Sequence, residues 1–159
     1  MDATKPQTPR LHEAIANLQQ LTELFQFRRE QLAREAGLTV QQWRVLEQIA
    51  REHFMPSMFA RERDSSRAAV SKILRQLQDK GLVSVAVSAS NGRHRNYALT
   101  ERGEEAMALL RASRQRAIDA VWGGFAPADI EAFRAFSARL IARLEEYAET
   151  ESSGSDQHG

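Results

Sequence analysis

The sequence predicts a mainly α-helical protein with one small β-hairpin, its elements running in the order α-α-α-α-β-β-α-α. Three observations predict this class. Apolar residues recur at helical spacing through most of the 159 residues. Glycine and proline are scarce, with 8 and 4 copies, and the prolines lie at the ends or breaks of the periodic segments. Strict alternation of apolar and small polar residues occurs only between residues 83 and 99.

Composition excludes several classes of protein. A hydrophobic content of 42% is enough for a buried core and argues against a disordered chain. Because cysteine is absent, disulfides, cysteine-ligated zinc and thiol chemistry are excluded. No apolar run approaches 18 residues and the first 30 residues lack a continuous apolar segment. We therefore predict neither a membrane span nor a signal peptide, and expect a cytoplasmic protein.

The first two helices are predicted from their apolar stripes and end signals. The first runs from residue 9 to about residue 34, and Gly37 follows it as a stop. Thr39 is placed to cap the second helix, with Gln42 at the position that completes a capping box. We predict that this second helix ends near His53.

Two short helices follow in close succession. The third is predicted over about residues 58–63 and the fourth over about 67–80, with Gly81 as its stop. A link of three or four residues between two short helices is helix-turn-helix spacing. One face of the fourth helix is apolar and predicted to be core, through Val70, Ile73, Leu74 and Leu77.

A hairpin and two long helices complete the predicted order. The strands cover about residues 83–88 and 97–99, with a turn signal at Asn91-Gly92. Such a small hairpin is not stable alone, so we expect it to pack on the helices beside it as a wing. Thr100 is placed to cap the fifth helix, which ends near Trp122, and Pro127 opens the sixth.

The exposed face of the fourth helix carries the main candidate binding residues. Arg67, Ser71 and Arg75 recur every four residues, beside Ala68, Lys72 and Gln76. Small residues let a helix approach a groove closely, and Arg, Lys and Ser are donors to base edges or phosphates. The predicted nucleic-acid contacts are Ser65, Ser66, Arg67, Ala68, Ser71, Lys72, Arg75, Arg93 and Arg95.

The charge distribution supports that surface. The net charge is only +1, from 22 basic and 21 acidic residues, so the total says little about partners. The segment 67–95 nevertheless holds six Lys and Arg residues and a single acid, Asp79. A local basic surface of this kind is what neutralisation of phosphates requires. The stretch 145–156 shows the reverse pattern, with five acids and no Lys or Arg.

At this point the sequence resembles a known family. Four pieces carry the likeness, namely Leu38–Leu46 (LTVQQWRVL), Ala69–Leu77 (AVSKILRQL), Lys80–Val83 (KGLV) and Leu99–Gly103 (LTERG). Residues 10–148 are similar to the MarR family of bacterial winged helix-turn-helix regulators. Where that family usually has Asp-x-Arg in the wing, this chain has Asn91-Gly92-Arg93, which lacks the charged pair that orients the arginine.

The resemblance implies a fold and a function. The implied fold is a winged helix-turn-helix with a dimer domain built from the terminal helices. The implied function is a homodimeric transcriptional regulator, usually a repressor, which binds a palindromic operator on double-stranded DNA and is released by a small molecule. The fourth helix would enter the major groove and Arg93 the minor groove. Such a protein is expected in the bacterial cytoplasm, associated with the nucleoid.

The domain organisation follows from these patterns. We predict a flexible arm over 1–9, one MarR-like unit over 10–148 and a disordered acidic tail over 149–159. Within the unit, 10–36 and 104–148 would form the dimer domain and 38–103 the winged part. Apolar stripes too large for a monomer to cover mark the dimer interface, with Leu11, Ile15, Leu18, Phe133, Phe136, Leu140, Ile141 and Leu144. The alternative is a monomer whose terminal helices pack on each other.

A small aromatic or anionic effector is a further expectation, because relatives bind such ligands in a cleft between the dimer helices and the winged domain. Aromatic surface beside an arginine suits an aromatic carboxylate. The candidate residues are Phe25, Arg28, Arg29, Trp43, Arg44 and His53. Two alternatives stay open. Trp43 lies at a core position of its stripe, and Arg28 has Glu35 or Glu47 as ion-pair partners.

Two other classes of function compete with DNA binding. An enzyme is disfavoured because the sequence holds no HExxH, no glycine-rich phosphate loop and no G-x-S-x-G, and we expect no cofactor and no metal site. A winged helix used only for protein contacts is the second alternative, because fold does not fix function. The basic, acid-poor segment 67–95 favours DNA over a protein partner.

Overall fold

The computed structural model describes residues 8–51, 54, 56–62, 66–87 and 95–155. Its elements are α1 (Thr8–Glu35), α2 (Val40–Ile49), α3 (Pro56–Glu62), α4 (Arg67–Asp79), β1 (Val83–Val87), β2 (Arg95–Leu99), α5 (Glu101–Trp122) and α6 (Pro127–Ser155). The predicted order α-α-α-α-β-β-α-α and the mainly helical class with a two-stranded antiparallel hairpin are therefore confirmed.

In the first unit, the residues predicted to cap or terminate helices do so. Thr39 accepts from the backbone N–H of Gln42, and the Gln42 side chain accepts from the N–H of Thr39, which completes the capping box of α2. Gly37 and Gly81 follow α1 and α4 in the left-handed region, with φ of +69° at each. Thr100 Oγ1 accepts from the N–H of Gly103 and so caps α5.

Several boundaries differ from the prediction, among them the starts of α3 at Pro56 and of β2 at Arg95. Helix α2 ends at Ile49, before the predicted end near His53, because Ala50 is its C-cap; His53 itself lies outside the described residues. Helix α1 begins at Thr8, inside the predicted arm. Helix α6 continues to Ser155, although a disordered tail was predicted from residue 149. No proline follows Pro127, so nothing in the sequence breaks the helix, although residues 149–155 (ETESSGS) are mostly weak helix formers.

The chain separates into two compact units, Met1–Gln115 and Arg116–Gly159, with the boundary inside α5. The sequence had predicted one unit over 10–148. In the first unit α4 packs on α2, α3 and β1, and α1 packs on α2. The largest fully buried side chains of the core are Leu46, Leu77, Leu110, Val45 and Val70.

The hairpin pairs Val83 with Leu99, Val85 with Tyr97 and Val87 with Arg95. Only its base is buried, through Val83, whereas the rest of β1 is exposed. The Phe54 ring meets the Tyr97 ring edge-on at 5.9 Å, between centroids, and lies 6.0 Å from Phe59. The hairpin is therefore anchored to the rest of the first unit by its base and by Tyr97.

The second unit contains the end of α5, a turn and α6. Trp122 packs against Phe125 and Phe133, with ring centroids 6.3 and 6.1 Å apart. Most other apolar side chains of α6 are exposed, including Phe136, Ile141, Leu144 and Tyr147. None of the described helices is both long and apolar enough to cross a bilayer.

Candidate nucleic-acid interface

Helix α4 is an amphipathic helix that presents a polar face to solvent. Val70, Leu74 and Leu77 are buried in the core, as predicted, and Ile73 packs partly against it. The opposite face is exposed and carries Arg67, Ala68, Ser71, Lys72 and Arg75. Arg67, Ser71 and Arg75 therefore form one accessible row along the helix, about four residues apart.

The start of α4 is fixed by Ser66. Its Oγ accepts from the backbone N–H of Ala69 at 3.1 Å, and Ser66 itself has extended backbone angles, as an N-cap requires. The hydroxyl proton of Ser66 stays available as a donor to an outside acceptor. Ser65 was predicted to act beside it and lies outside the described residues.

The cations on this surface have no protein partner among the residues that the structure describes. The side chains of Arg67, Lys72 and Arg75 on α4 and of Arg95 on β2 make no hydrogen bond or ion pair with those residues. Ion pairs lie elsewhere in the described chain, for example within α1 and within α6. Within the described part of the chain, nothing therefore competes with an outside anion for these guanidinium and ammonium groups.

A cavity of about 170 Å³ lies between α4 and β2. It brings two of the predicted contact arginines together with a hydroxyl, an amide and an aromatic ring. The residues around it are Ser71, Leu74, Arg75, Gln78, Arg95 and Tyr97. Because several strong donors meet at one concave site, the cavity suits an anionic oxygen group such as a phosphate.

Sequence reasoning missed two residues at this cavity, Gln78 and Tyr97. Gln78 follows Ser71 by seven residues and Arg75 by three, so helical spacing alone places it on the same side. Tyr97 was assigned only to a strand, since its approach to α4 depends on how the hairpin packs. Gln76 was expected beside the exposed row, but it is half-buried and accepts from Gln42 Nε2 at 3.1 Å.

The predicted wing contacts are only partly described. Arg95 is exposed at the start of β2 and pairs in register with Val87. Asn91, Gly92 and Arg93 lie outside the described residues, so the contact expected of Arg93 stays a prediction.

The predicted effector residues have different environments. Trp43 is 7% exposed and belongs to the core, which is the alternative that its stripe position indicated. Its Nε1 is buried with no hydrogen-bond partner among the described residues. Arg28 donates to Gln31 at 2.7 Å and lies 3.8 Å from the Glu35 carboxylate. Glu35 is one of the two ion-pair partners that the sequence offered as an alternative to ligand binding. Arg44 is half-buried, while Phe25 and Arg29 are exposed.

The predicted dimer residues are mostly exposed in the single chain. The exposed ones are Leu11, Ile15, Phe133, Phe136, Ile141 and Leu144, and the half-buried ones are Leu18 and Leu140. In the described part of the chain, no group of three or more His, Asp and Glu residues is arranged to hold a metal ion.

Comparison with known proteins finds a family match over the winged part of the first unit. Residues 36–94 match the model of the MarR family. The resemblance to the MarR family is confirmed. The match includes α2, α3, α4 and β1, and so covers the helix-turn-helix and the first strand of the wing. A search of curated proteins found no match.

Solved structures share the MarR fold over most of their length. A MarR family transcription regulator superposes with a TM-score of 0.81 at 22% identity, covering 93% of this chain and 99% of that one. YusO of Bacillus subtilis gives 0.73 at 18% identity, with 87% and 99% covered. MepR of S. aureus in complex with DNA gives 0.62 at 17% identity, with 80% and 93% covered. At these identities the likeness establishes the winged helix fold.

Proposed function

We propose that this protein is a DNA-binding transcriptional regulator of the MarR type. One observation carries the proposal, namely the row of cations on the exposed face of α4 and on β2 whose side chains have no partner among the described residues. The helix enters the major groove, where Arg67, Ser71, Lys72 and Arg75 meet base edges and phosphates. The fold neighbour MepR, whose structure was solved with DNA, supports a duplex as the partner.

The cavity between α4 and β2 adds a site for the DNA backbone. Arg75 and Arg95 meet there beside the hydroxyl of Ser71. Because guanidinium groups bind phosphate oxygens through two parallel hydrogen bonds, this site would hold one phosphate and fix the register of α4 in the groove. Ala68 and Ser71 are short, so the helix backbone can approach the bases closely.

The regulator acts as a homodimer on a palindromic operator. Support comes from the apolar side chains that the second unit leaves exposed, Phe136, Ile141 and Leu144 among them. Contiguous exposed apolar surface on a soluble protein marks an interface. A two-fold dimer places two copies of α4 on half-sites about 34 Å apart, which is one turn of DNA.

Repression in the bacterial cytoplasm is the proposed outcome, because it requires only that the dimer occupy a promoter. A small aromatic or anionic effector would release it. The Nε1 of the buried Trp43 has no hydrogen-bond partner in the described part of the chain, and it precedes the half-buried Arg44, which supports an effector near α2. Titration with an aromatic carboxylate such as benzoate should change the fluorescence of Trp43 in a Trp122→Phe variant and lower its affinity for the operator.

The experiment that tests the function is selection of duplex fragments from a random pool, followed by sequencing. We expect an inverted repeat whose half-site centres are one helical turn apart. Affinity for the selected site should fall steeply with salt, since each neutralised phosphate releases counterions. An in vitro transcription reaction on a promoter that contains the site then tests repression directly.

A matched pair of variants separates the proposed surface from general charge. Arg75→Gln removes a cation of the cavity, whereas Arg111→Gln removes an exposed arginine of α5 that lies on neither α4 nor the cavity. Only Arg75→Gln should weaken binding. If the wild-type protein shifts no duplex at micromolar concentration and low salt, the winged helix is a protein-interaction module instead.

A further inference from the structure

Gln42 is a buried amide whose hydrogen bonds extend beyond its own helix. Its residue is 4% exposed. The oxygen Oε1 accepts from the backbone N–H of Thr39 at 3.1 Å and from Lys80 Nζ at 2.9 Å. Because both donors face the same oxygen, the amide is oriented with Nε2 toward α4. There Nε2 donates to Gln76 Oε1 at 3.1 Å, across 34 residues of chain.

The partners of Gln42 lie at the C-terminal end of α4. Gln76 is in the last turn of that helix and Lys80 is its C-cap residue. Lys80 Nζ also donates to the backbone carbonyl of Gly37 at 2.7 Å. The end of α4 is thus bonded at two points to the start of α2 and to the turn that precedes it. We call Gln42, Gln76 and Lys80 the amide clamp.

The capping of α2 does not account for this arrangement. A capping box needs only the Oε1 of Gln42 and the hydroxyl of Thr39. The bonds to Gln76 and Lys80 add nothing to the cap. They do satisfy a buried amide, and they join two helices that otherwise meet through apolar side chains.

Apolar packing and hydrogen bonds constrain a helix differently. Val70, Leu74 and Leu77 hold α4 on the core through contacts that tolerate small rotations, because the hydrophobic effect is not directional. Hydrogen bonds are directional, because they prefer donor angles above about 150° and weaken steeply below about 120°. The amide clamp therefore fixes the tilt and rotation of α4, while the core fixes its depth.

We propose that Gln42 is a positioning residue for DNA recognition, which acts through Gln76 and Lys80 to set the direction in which α4 presents Arg67, Ser71 and Arg75. This inference rests on the proposed function. Helix α4 has 13 residues, so its first residue is about 18 Å from its last at a rise of about 1.5 Å per residue. A tilt of about 5° at the clamp moves Arg67 by about 1.5 Å over this length. Donor–acceptor distances in hydrogen bonds vary by only about 0.5 Å, so a displacement of this size would break contacts between Arg67 and base edges.

The clamp predicts a loss of sequence discrimination rather than of general DNA affinity. Gln76→Leu removes the acceptor for Gln42 Nε2 at nearly constant size. We expect its affinity for the selected site to fall by about tenfold, the effect of losing one specific base contact. Its affinity for random duplex and the slope of its salt dependence should stay unchanged, because the phosphate contacts depend less on the exact tilt.

Three further variants make the test specific. Gln76→Glu keeps an acceptor oxygen and should restore the ratio of selected-site to random-duplex affinity. Lys80→Met keeps the aliphatic stem but removes the bonds to Gly37 and Gln42, so it should lower that ratio without touching Gln76. Gln41→Leu, at an exposed position of α2 outside the clamp, should leave the ratio unchanged.

These variants distinguish a failure of this inference from a failure of the proposed function. If the wild-type protein discriminates the selected site and Gln76→Leu and Lys80→Met do so equally well, the clamp is only structural and the inference is overturned. A uniform loss of affinity for both duplexes has the same consequence. If the wild-type protein binds no duplex, the proposed function fails and the inference falls with it.

Discussion

Gly103 of α5 lies directly against the backbone of Leu82, the residue that leads into β1. A Cβ added at Gly103 would be 2.2 Å from the carbonyl oxygen of Leu82 and 3.2 Å from its carbonyl carbon. That oxygen also accepts from the backbone N–H of Thr100 at 3.1 Å. Two segments of the family resemblance, KGLV and LTERG, are therefore in direct contact, and the glycine is required by close approach of two backbones.

Gly103→Ala should destabilise the first unit, because neither the Leu82 carbonyl nor the helix backbone can move without breaking these contacts. The expected cost is about 1–3 kcal/mol, typical of overpacking. Chemical denaturation measures it. Gly124→Ala is the matched control, since an added Cβ there meets no described residue within 4 Å apart from its own chain neighbours. Equal stability of the two variants would contradict the close approach.

The Thr100 hydroxyl joins the same two segments. It donates to the carbonyl of Gly81 at 2.6 Å and accepts from the N–H of Gly103 at 3.1 Å. Thr100→Val removes both bonds at constant shape and should cost about 1 kcal/mol or more in unfolding free energy. Thr100→Ser keeps the hydroxyl and should retain most of the stability. Unchanged stability of Thr100→Val would contradict a contribution from these two hydrogen bonds.

Binding of DNA by the cavity arginines has a distinct salt signature. Arg75→Gln and Arg95→Gln should each reduce the slope of log affinity against log salt by about 1, because one phosphate contact is lost in each. Fluorescence anisotropy at several salt concentrations measures the slope. Arg111→Gln supplies the control slope. A reduction in affinity with an unchanged slope would mean that the substituted arginine does not contact a phosphate.

The proposed dimer can be tested on α6 through a substitution at an exposed apolar position. Ile141→Glu places a charge on the side chain that is 55% exposed in the single chain, and should raise the dimer dissociation constant by at least about tenfold. Sedimentation velocity measures the monomer fraction, and circular dichroism checks that the helices persist. Arg143→Glu also adds a glutamate to α6 at an exposed position. The same dissociation in both variants would point to charge rather than to a lost apolar contact.

The ion pair within α6 predicts a small dependence of stability on pH. Two hydrogen bonds from Arg134, of 2.8 and 2.6 Å, lower the pKa of the Glu131 carboxyl and raise the pKa of the guanidinium. A depressed carboxyl pKa stabilises the fold above the ordinary pKa, and that contribution is lost as pH falls through the lowered value. The difference in melting temperature between wild type and Glu131→Gln should be small and should vanish in acid, since the pair is exposed. A difference that grows in acid would contradict this sign.

The sequence by itself determined the local structure of this protein. The caps at Thr39 and Thr100 each depend on residues within three positions, and the stripe of α4 depends on helical spacing. Such signals are contained in short segments, so they could be predicted without a fold. They were sufficient for the order of elements, for the exposed row of α4 and for the resemblance to the MarR family.

Tertiary structure decided what those side chains meet. Gln42 was predictable as a cap residue, but its bond to Gln76 depends on two helices that are far apart in the chain. Arg95 and Tyr97 reach the cavity only because the hairpin packs beside α4. Trp43 had two interpretations until its burial selected the core. Periodicity fixes which face of an element is apolar, whereas contacts between elements depend on packing geometry that no short segment contains.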